Sequence, residues 1–521
     1  KKTNTLLGFF FFGELTSSRN GSSQAVDYWV AKDDIRQQII NNPMLRSNQG
    51  QGAVQAADFL REDSFEKTNI RENDNDYGAN INMRFDLQPA KSVNFTLGGN
   101  FIYNNSTLYN RSSSLFNNDN YGNNEGFNAR AFFRITQKFI PETPEQAEKA
   151  LIKNAWYSLQ FDVVKIYSKT QNTKHKDNLF AYGHIGTFES YKIPYYSYGT
   201  DTNLNLSGYR LVNFYDTAVH FTPSTYNPDA AQYTQNVYDI FPETYYHNNL
   251  TEIQGLQGFL NGEGIPSVYG LWSSPGTQYN SYAINNDFQF RVTASGKADI
   301  GDHEVSLGFE FEQRIDRYFG ISPRSLWEEA RQLMNSHISE IDFDSAIPVY
   351  VDGVFQDTII YQREYSKDNQ RQFDIRFREH LGKPLDGLEY IDIDAYDPSE
   401  FSIEYFSPEE LLNDGNPYVT YYGYDYKGDR LSHTPSFKDF FTDTYEDEVG
   451  NIRKKREIAP FAPNYTAAYI QDKFSFDDLV FNVGVRVDRY DLNQKVLKDE
   501  YLLQKRSEEH TSELQSLLII S

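Results

Sequence analysis

The chain has 521 residues, more than one ordinary domain, and combines a low apolar content of 39% with 16% aromatic residues (39 Tyr, 39 Phe and 4 Trp) at a mean hydropathy of -0.66. The aromatic load excludes general disorder, the short apolar runs exclude a helical membrane bundle, and the absence of Cys excludes disulfide scaffolds, thiol catalysis and cysteine zinc sites. A net charge of -24, from 49 basic and 73 acidic residues, excludes nucleic acid as a partner on electrostatic grounds.

At the N-terminal end, Lys1-Lys2 followed by Leu6-Leu7-Gly8-Phe9-Phe10-Phe11-Phe12 has the basic start and short apolar run of a signal peptide. No small-residue cleavage site follows, since Glu14, Ser17, Ser18 and Arg19 come next, so the expected element is an aromatic strand over Thr5–Thr16.

Strict alternation begins at Asn80: Ile81, Met83, Phe85 and Leu87 share one face, and Asn80, Asn82, Arg84 and Asp86 the other. Gln88-Pro89-Ala90-Lys91 breaks the pattern as a turn, after which Val93, Phe95, Leu97, Gly99 and Phe101 alternate with Asn94, Thr96 and Asn100. A second pair of strands is expected over Asn128–Phe139 and Asn154–Tyr167, with Tyr157, Leu159, Phe161 and Val163 on the apolar face. Its connection contains Thr143-Pro144-Glu145-Gln146, a capping-box pattern with Pro at the first helical position, which predicts a short helix.

A third hairpin places Phe288, Phe290, Val292 and Ala294 opposite Gln289, Arg291 and Thr293, turns at Ile300-Gly301-Asp302-His303, and returns with Val305, Leu307, Phe309 and Phe311 against Glu304, Ser306, Glu310 and Glu312. A fourth runs from Tyr465–Phe474 through Phe476-Asp477-Asp478-Leu479 into Phe481, Val483, Val485 and Val487, against Asn482, Gly484, Arg486 and Asp488. Short links therefore fall at 88–91, 140–153, 300–303 and 476–479, and long ones at 17–76, 104–127, 168–286 and 315–463. All short links lie at one end of the strands and all long links at the other. A soluble sandwich has strands of about 5–6 residues and regularly spaced turns. Strands of ten or more residues with this asymmetry predict an all-β, antiparallel transmembrane β-barrel, its apolar face on lipid, its polar face on the lumen, and its long extracellular loops carrying short helices.

The loops offer few chemical candidates. Asp342-Phe343-Asp344 and Asp392-Ile393-Asp394 are paired carboxylates, and Thr444–Glu448 is an acidic run. In a strand-like D-x-D both carboxylates point the same way and suit Ca²⁺ or a glycosidase, but in so acidic a chain solvated loops are the expected reading. The nine His are scattered without an H-x-x-x-H pair, and neither G-x-S-x-G nor G-x-x-x-x-G-K-[ST] occurs. Tyr195-Tyr196, Tyr245-Tyr246 and Tyr421-Tyr422 could stack on sugars or peptides, though loop packing is the expected role. Ser325-Leu326-Trp327-Glu328, with Leu326, Ala330, Leu333 and Met334 at helical spacing, predicts a capped loop helix burying an apolar stripe. No catalytic, cofactor-binding or metal-ligating residue is assigned, and the ligand-binding residues are not specified by the sequence.

Ala467-Ala468-Tyr469-Ile470-Gln471-Asp472-Lys473-Phe474 and Leu479-Val480-Phe481-Asn482-Val483-Gly484-Val485-Arg486-Val487-Asp488-Arg489-Tyr490 resemble TonB-dependent outer-membrane transporters, most closely the large Bacteroidetes-type receptors. Asn154–Gln160, Asn413–Tyr418 and Tyr421–Tyr426 are similar to that group as well. The resemblance implies a barrel of about 22 strands around a plug, of which nine long strands are legible. It implies import of a scarce nutrient driven through the TonB energy-coupling complex, with no bond broken and no cofactor. The ligand stays open among glycan, peptide, siderophore and cobalamin, and a surface lipoprotein is a conceivable partner.

Residues 1–505 are accordingly expected to be the middle portion of such a barrel, with plug, coupling segment and terminal strands lying outside it. Arg506-Ser507-Glu508-Glu509-His510-Thr511-Ser512-Glu513-Leu514-Gln515-Ser516 matches the translation of a widely used sequencing adapter, so 506–521 is expected to be an artefact. The alternatives are a plug-less porin-like or adhesive barrel, and a secreted carbohydrate-binding β protein.

Overall fold

The computed structural model describes residues 6–22, 26–48, 50, 52–141, 143, 150–476, 478–495 and 517–520. In chain order its principal strands are β1 (Leu7–Ser18), β2 (Asp76–Ala90), β3 (Val93–Leu108), β4 (Gly122–Lys138), β5 (Ile152–Asn172), β6 (Gly186–Asp201) and β7 (Leu206–Pro223). They continue with β8 (Tyr282–Ile300), β9 (His303–Ile315), β10 (Tyr318–Ile321), β11 (Ile347–Val351), β12 (Val354–Ile360), β13 (Val419–Tyr422), β14 (Asn464–Phe476) and β15 (Leu479–Asp491). The principal helices are α1 (Pro228–Ile240), α2 (Ser325–Leu333), α3 (Gln372–His380) and α4 (Pro408–Leu412).

Nine of these strands, β1, β2, β3, β4, β5, β8, β9, β14 and β15, form one antiparallel wall in which every neighbour in space is the neighbour in sequence among them. The fold is thus a large antiparallel β-sheet of long strands, as the alternation predicts. Strands reach 21 residues, longer than the roughly 9–11 that a tilted strand needs to cross a bilayer. Four tight or short connections lie at one end and the long connections at the other, as the sequence indicates. The turn between β8 and β9 contains Gly301 at φ 62°, a conformation glycine adopts without Cβ strain.

Register makes the alternation a property of the whole wall. One row runs Phe9, Phe85, Leu97, Phe133, Phe161, Val292 and Phe311 across seven strands. A second runs Leu7, Leu87, Phe95, Ile135, Leu159, Ala294, Phe309, Ala468 and Val487 across all nine. A one-residue slip in any strand would move its apolar set to the opposite face, so these rows fix one another. The apolar face is the open one: Phe85 is 46% exposed, Leu97 52% and Val485 54%, whereas Thr96 and Asp162 on the polar face are 2% and 3% exposed.

The long connections are folded bodies rather than simple loops. β6 and β7 form a long hairpin that joins β12 and β11 in a separate four-stranded sheet. β10 extends the β8–β9 hairpin and carries β13 at its edge. One apolar core gathers Phe180, Phe319, Trp327, Phe373, Phe377, Phe401 and Phe406 around α2 and α3. Another lies under α1 and joins Phe188, Phe221, Tyr233, Val237 and Ile253. The expected short helices are present in the connections, which also contain strands of 16 and 18 residues that the alternation did not indicate.

At the N-terminal end β1 pairs along its whole length with β2, the strand rather than the signal-peptide arrangement. Pro144-Glu145-Gln146, the expected helix, lies outside the described residues, as does Arg506–Ser516. Leu517–Ile520 pairs with β15. Among the described residues no helix is long and apolar enough to cross a membrane.

Candidate functional site

The polar face of the wall is the first surface on which a ligand or an inserted domain could act. Because alternate residues of each strand share it, polar side chains meet both along a strand, at i and i+2, and across to the neighbouring strands. Arg84 grips Asp86 through two bonds of 2.8 and 3.0 Å, and the Thr96 hydroxyl donates to the same carboxylate at 2.7 Å. Asp162, nearly buried, accepts from Arg130 Nη2 at 2.8 Å and Gln160 Nε2 at 2.8 Å, with Arg291 3.6 Å away; Arg291 in turn reaches Glu310 at 3.7 Å. Arg486 holds Asp488 at 2.8 Å and donates to the Tyr465 hydroxyl of the neighbouring strand at 2.7 Å. Asn80, Asn82 and Asn100 close an amide cluster beside them at 2.9–3.1 Å.

In the arginine pairs just described the carboxylate is the more covered partner. The side chain of Arg130 is 47% exposed against 3% for Asp162, and Arg84 is 55% exposed against 33% for Asp86. The face therefore offers oriented guanidinium donors whose rotamers are already fixed, which lowers the ordering cost of binding an acceptor-rich partner. Two aromatic rings lie over glycines on this face: a Cβ at Gly98 would meet the Phe132 ring at 2.5 Å, and one at Gly308 would meet the Tyr469 ring at 2.2 Å. Sequence reasoning identified Asn80, Asn82, Arg84, Asp86, Gln289, Arg291, Glu310, Glu312, Arg486 and Asp488 as one face. It missed Asp162, whose signal was its place between the apolar Phe161 and Val163 on β5.

The second surface is the crown built from the long connections. Many of its polar groups pair with one another across segments. Asp394 accepts from Arg331 Nε at 2.6 Å, from Arg331 Nη2 at 3.1 Å and from Asn261 Nδ2 at 2.9 Å, tying α2 to two distant segments. Asp392 instead accepts from the Asp394 backbone N–H at 3.2 Å within a single 3₁₀ turn. The two carboxylates of the D-x-D therefore do not point the same way, which corrects the strand-like expectation. Asp342 likewise accepts from the Asp344 N–H at 2.9 Å, and Asp344 from Asn203 Nδ2 at 2.8 Å. In the Thr444–Glu448 run, Asp447 accepts from Arg453 Nε at 2.9 Å and Glu448 from Arg376 Nε at 3.0 Å. Among the described residues no group of three or more His, Asp or Glu side chains is arranged to hold a metal ion.

A fully buried network lies deeper: Asp374 accepts from Arg378 Nε at 2.9 Å and Gln370 Nε2 at 3.0 Å, and stands 3.2 Å from His337 Nδ1. Burial pushes the Asp392 carboxyl up to about 6, with Asp394 adding repulsion. Burial likewise pushes Glu329 up to about 7, against its hydrogen bond to Tyr418 and with Glu410 and Glu328 adding to the rise. Burial pushes His184 down to about 4, so its ring is neutral at physiological pH, where Nδ1 sits 2.8 Å from the Ser224 hydroxyl.

The tyrosine pairs divide. Tyr196, Tyr246 and Tyr421 pack into the crown cores, Tyr421 donating to the Arg456 carbonyl at 2.8 Å. Tyr195 and Tyr245 are exposed, and Tyr195 lies edge-on to Tyr215 at 5.0 Å. The expected helix is present as α2 and buries Leu326, Trp327, Ala330 and Leu333, but Ser325 is its first helical residue rather than its cap, and Arg324 occupies the cap position.

No protein-family model and no curated protein matches the chain. Among solved structures, the crystal structure of the ferric citrate transporter FecA in the unliganded form is similar over 80% of this chain at 7% identity, with a TM-score of 0.20. This chain spans 35% of that one.

Proposed function

We propose that the chain is part of an outer-membrane barrel that imports a scarce nutrient by TonB-coupled active transport. One observation carries the reading: over nine strands large apolar side chains stand exposed in register on one face, while on the other the guanidinium groups are paired with more covered carboxylates, which is not the arrangement of a sheet with water on both faces. Lipid is the solvent that makes such a face stable. The polar face then lines the lumen, where its fixed Arg–carboxylate pairs suit an inserted plug domain with polar loops.

The TonB coupling and the Bacteroidetes-type assignment rest on the strand sequences around Tyr469 and Arg486. In this reading binding and plug movement do the work. No bond in the nutrient is broken, and none of the carboxylates described acts as acid or base. The partners are outer-membrane lipid, the energy-coupling complex reached through a segment preceding the wall, and a small ligand that is a glycan, peptide, siderophore or cobalamin, with a surface lipoprotein as an optional companion.

The test uses cells carrying the intact protein and four labelled probes: an oligosaccharide, a short peptide, a ferric siderophore and cobalamin. One probe accumulates above the level of cells lacking the protein, and a protonophore abolishes the difference. Protonophore-insensitive equilibration of several probes would instead establish a porin-like barrel, and recovery of the protein in the medium would establish a secreted one.

A further inference from the structure

The apolar face of the wall is not uniformly bulky. Between β2 and β5 a groove of about 420 Å³ opens where Gly99, Ala129 and Ala131 replace larger residues, and Phe85, Phe101, Val163 and Phe288 form its walls. Small residues in one register row produce it: Gly99 pairs with Ala131 across β3 and β4, and Ala131 with Val163 across β4 and β5. Lys165 closes the end nearer the long connections. It belongs to the apolar face by alternation, pairing with Ala129 on one side and Phe288 on the other.

A lysine on a lipid-facing surface needs a partner for its charge. Lys165 Nζ donates to Asn286 Oδ1, a neutral acceptor, and Asn286 Nδ2 in turn donates to the Tyr424 hydroxyl at 2.8 Å. Two further cations, Arg317 and Arg430, lie within electrostatic reach of that ammonium. Among the described residues none of the three takes part in an ion pair. The nearby carboxylate is Asp287, which accepts from the Arg317 backbone N–H at 3.3 Å. An acyl-chain groove thus ends at three cations, with Asp287 within electrostatic reach of Lys165 and Arg317, and Asp316 in turn within reach of Asp287.

We propose that this groove and cation cluster bind one phosphate-bearing acyl lipid of the leaflet on the long-connection side, its chain along Gly99, Ala129 and Ala131 and its phosphate against Lys165, Arg317 and Arg430. The apolar walls alone would accept any lipid; the unneutralised cations select an anionic head. The inference rests on the outer-membrane reading, because only a membrane-facing wall places a lipid there.

The test extracts the full chain from outer membranes in a mild detergent and measures lipid retention by native mass spectrometry, offering phosphatidic acid, diacylglycerol with the same chains, and inorganic phosphate. Wild type retains one phosphatidic acid about tenfold more than diacylglycerol. The triple change Lys165→Gln, Arg317→Gln and Arg430→Gln brings the two lipids level, and Ala131→Phe, which fills the groove with another apolar group, lowers retention of both. Millimolar inorganic phosphate leaves the lipid in place. Undiminished phosphatidic acid on the triple variant, unchanged retention on Ala131→Phe, equal retention of both lipids by wild type, or full displacement by inorganic phosphate would each overturn the proposal. Heat-modifiable migration verifies that each variant has its wall; if the triple variant lacks it, Lys165→Gln alone is read by the same criteria. Co-sedimentation with outer membranes is scored separately, so failure of the membrane reading and failure of the lipid site give different results.

Discussion

The wall and the crown draw on one composition and arrange it in opposite ways. In the wall Phe9, Phe85, Leu97 and Phe161 stand exposed in register while Thr96 and Asp162 are covered; in the crown Trp327, Phe373 and Phe377 have no exposed surface. The difference shows that residue type alone does not set burial. The crown must exclude water by packing aromatic rings against each other, with Phe377 and Phe401 stacked at 4.8 Å and Trp327 Nε1 donating to the Phe180 carbonyl at 2.8 Å. The wall relies on its cross-strand hydrogen bonds and leaves its apolar side open, the side that the proposed function assigns to lipid.

The largest expected effect that separates the two regions is in the crown. Trp327→Ala removes a buried ring and leaves a cavity, a loss of about 3–5 kcal/mol. Limited proteolysis should then cut within residues 173–281 or 316–463 while the wall keeps its heat-modifiable migration. Simultaneous loss of both would show that crown and wall form one cooperative unit.

Next comes the wall itself. Leu97→Arg should cost about 2–4 kcal/mol if the position is near the bilayer midplane, and Asn94→Arg on the other face about 0–1 kcal/mol, read from reversible unfolding in lipid vesicles. Alternation alone assigns Thr96 the same tolerance as Asn94, and the structure corrects this. Thr96 is buried and donates to Asp86, so Thr96→Arg is expected to be costly for steric reasons that say nothing about lipid.

A pH-dependent difference sharpens the picture of the crown. Glu329 is raised from 4.5 to about 7, so its contribution to stability is fully present below pH 4.5 and is lost as pH rises through 7. Glu329→Gln, which keeps the hydrogen-bonding shape, should therefore stabilise the crown at pH 8 by on the order of 1–3 kcal/mol and be neutral at pH 4. A constant difference between the two pH values would remove Glu329 as the titrating group. The smallest effect is at a helix start: Ser407 accepts from the Glu410 N–H at 3.3 Å while Glu410 accepts from the Ser407 N–H at 2.8 Å, and Ser407→Ala should cost about 1 kcal/mol in crown stability by the same proteolysis assay.

The wall was legible in the sequence because its signal is local: Ile81, Met83, Phe85 and Leu87 repeat every second residue, and the partner strand begins just past the turn. The crown was not, and particular residues show why. On β6 and β7 alternation is interrupted by Pro194, by the adjacent Tyr195 and Tyr196, and by register shifts at Tyr191/Lys192 and Tyr195/Tyr196, so neither strand presents a clean period. α1 did carry a readable start in Asn227 followed by Pro228 at the first helical position. Phe180, Trp327 and Phe401 meet from segments far apart in the chain, which no local pattern encodes. The Asp392 and Asp394 pair was expected in a solvated loop, but Asp394 is buried: a 3₁₀ turn sends the Asp392 carboxylate to its own backbone and the Asp394 carboxylate to Arg331.

The central claim is that the apolar face of the wall meets lipid, and the absence of native Cys allows it to be tested residue by residue. Single Cys substitutions at Val93, Asn94, Phe95, Leu97, Asn100 and Phe101 in the intact protein, which avoid the buried Thr96 and the crowded Gly98 and Gly99, are spin-labelled in lipid vesicles and report collisions with oxygen dissolved in the membrane and with a water-soluble nickel complex. The expected result is an alternation, with labels at 93, 95, 97 and 101 relaxed by oxygen and those at 94 and 100 shielded from it. Equal relaxation by the nickel complex on both faces would place the wall in water and contradict it.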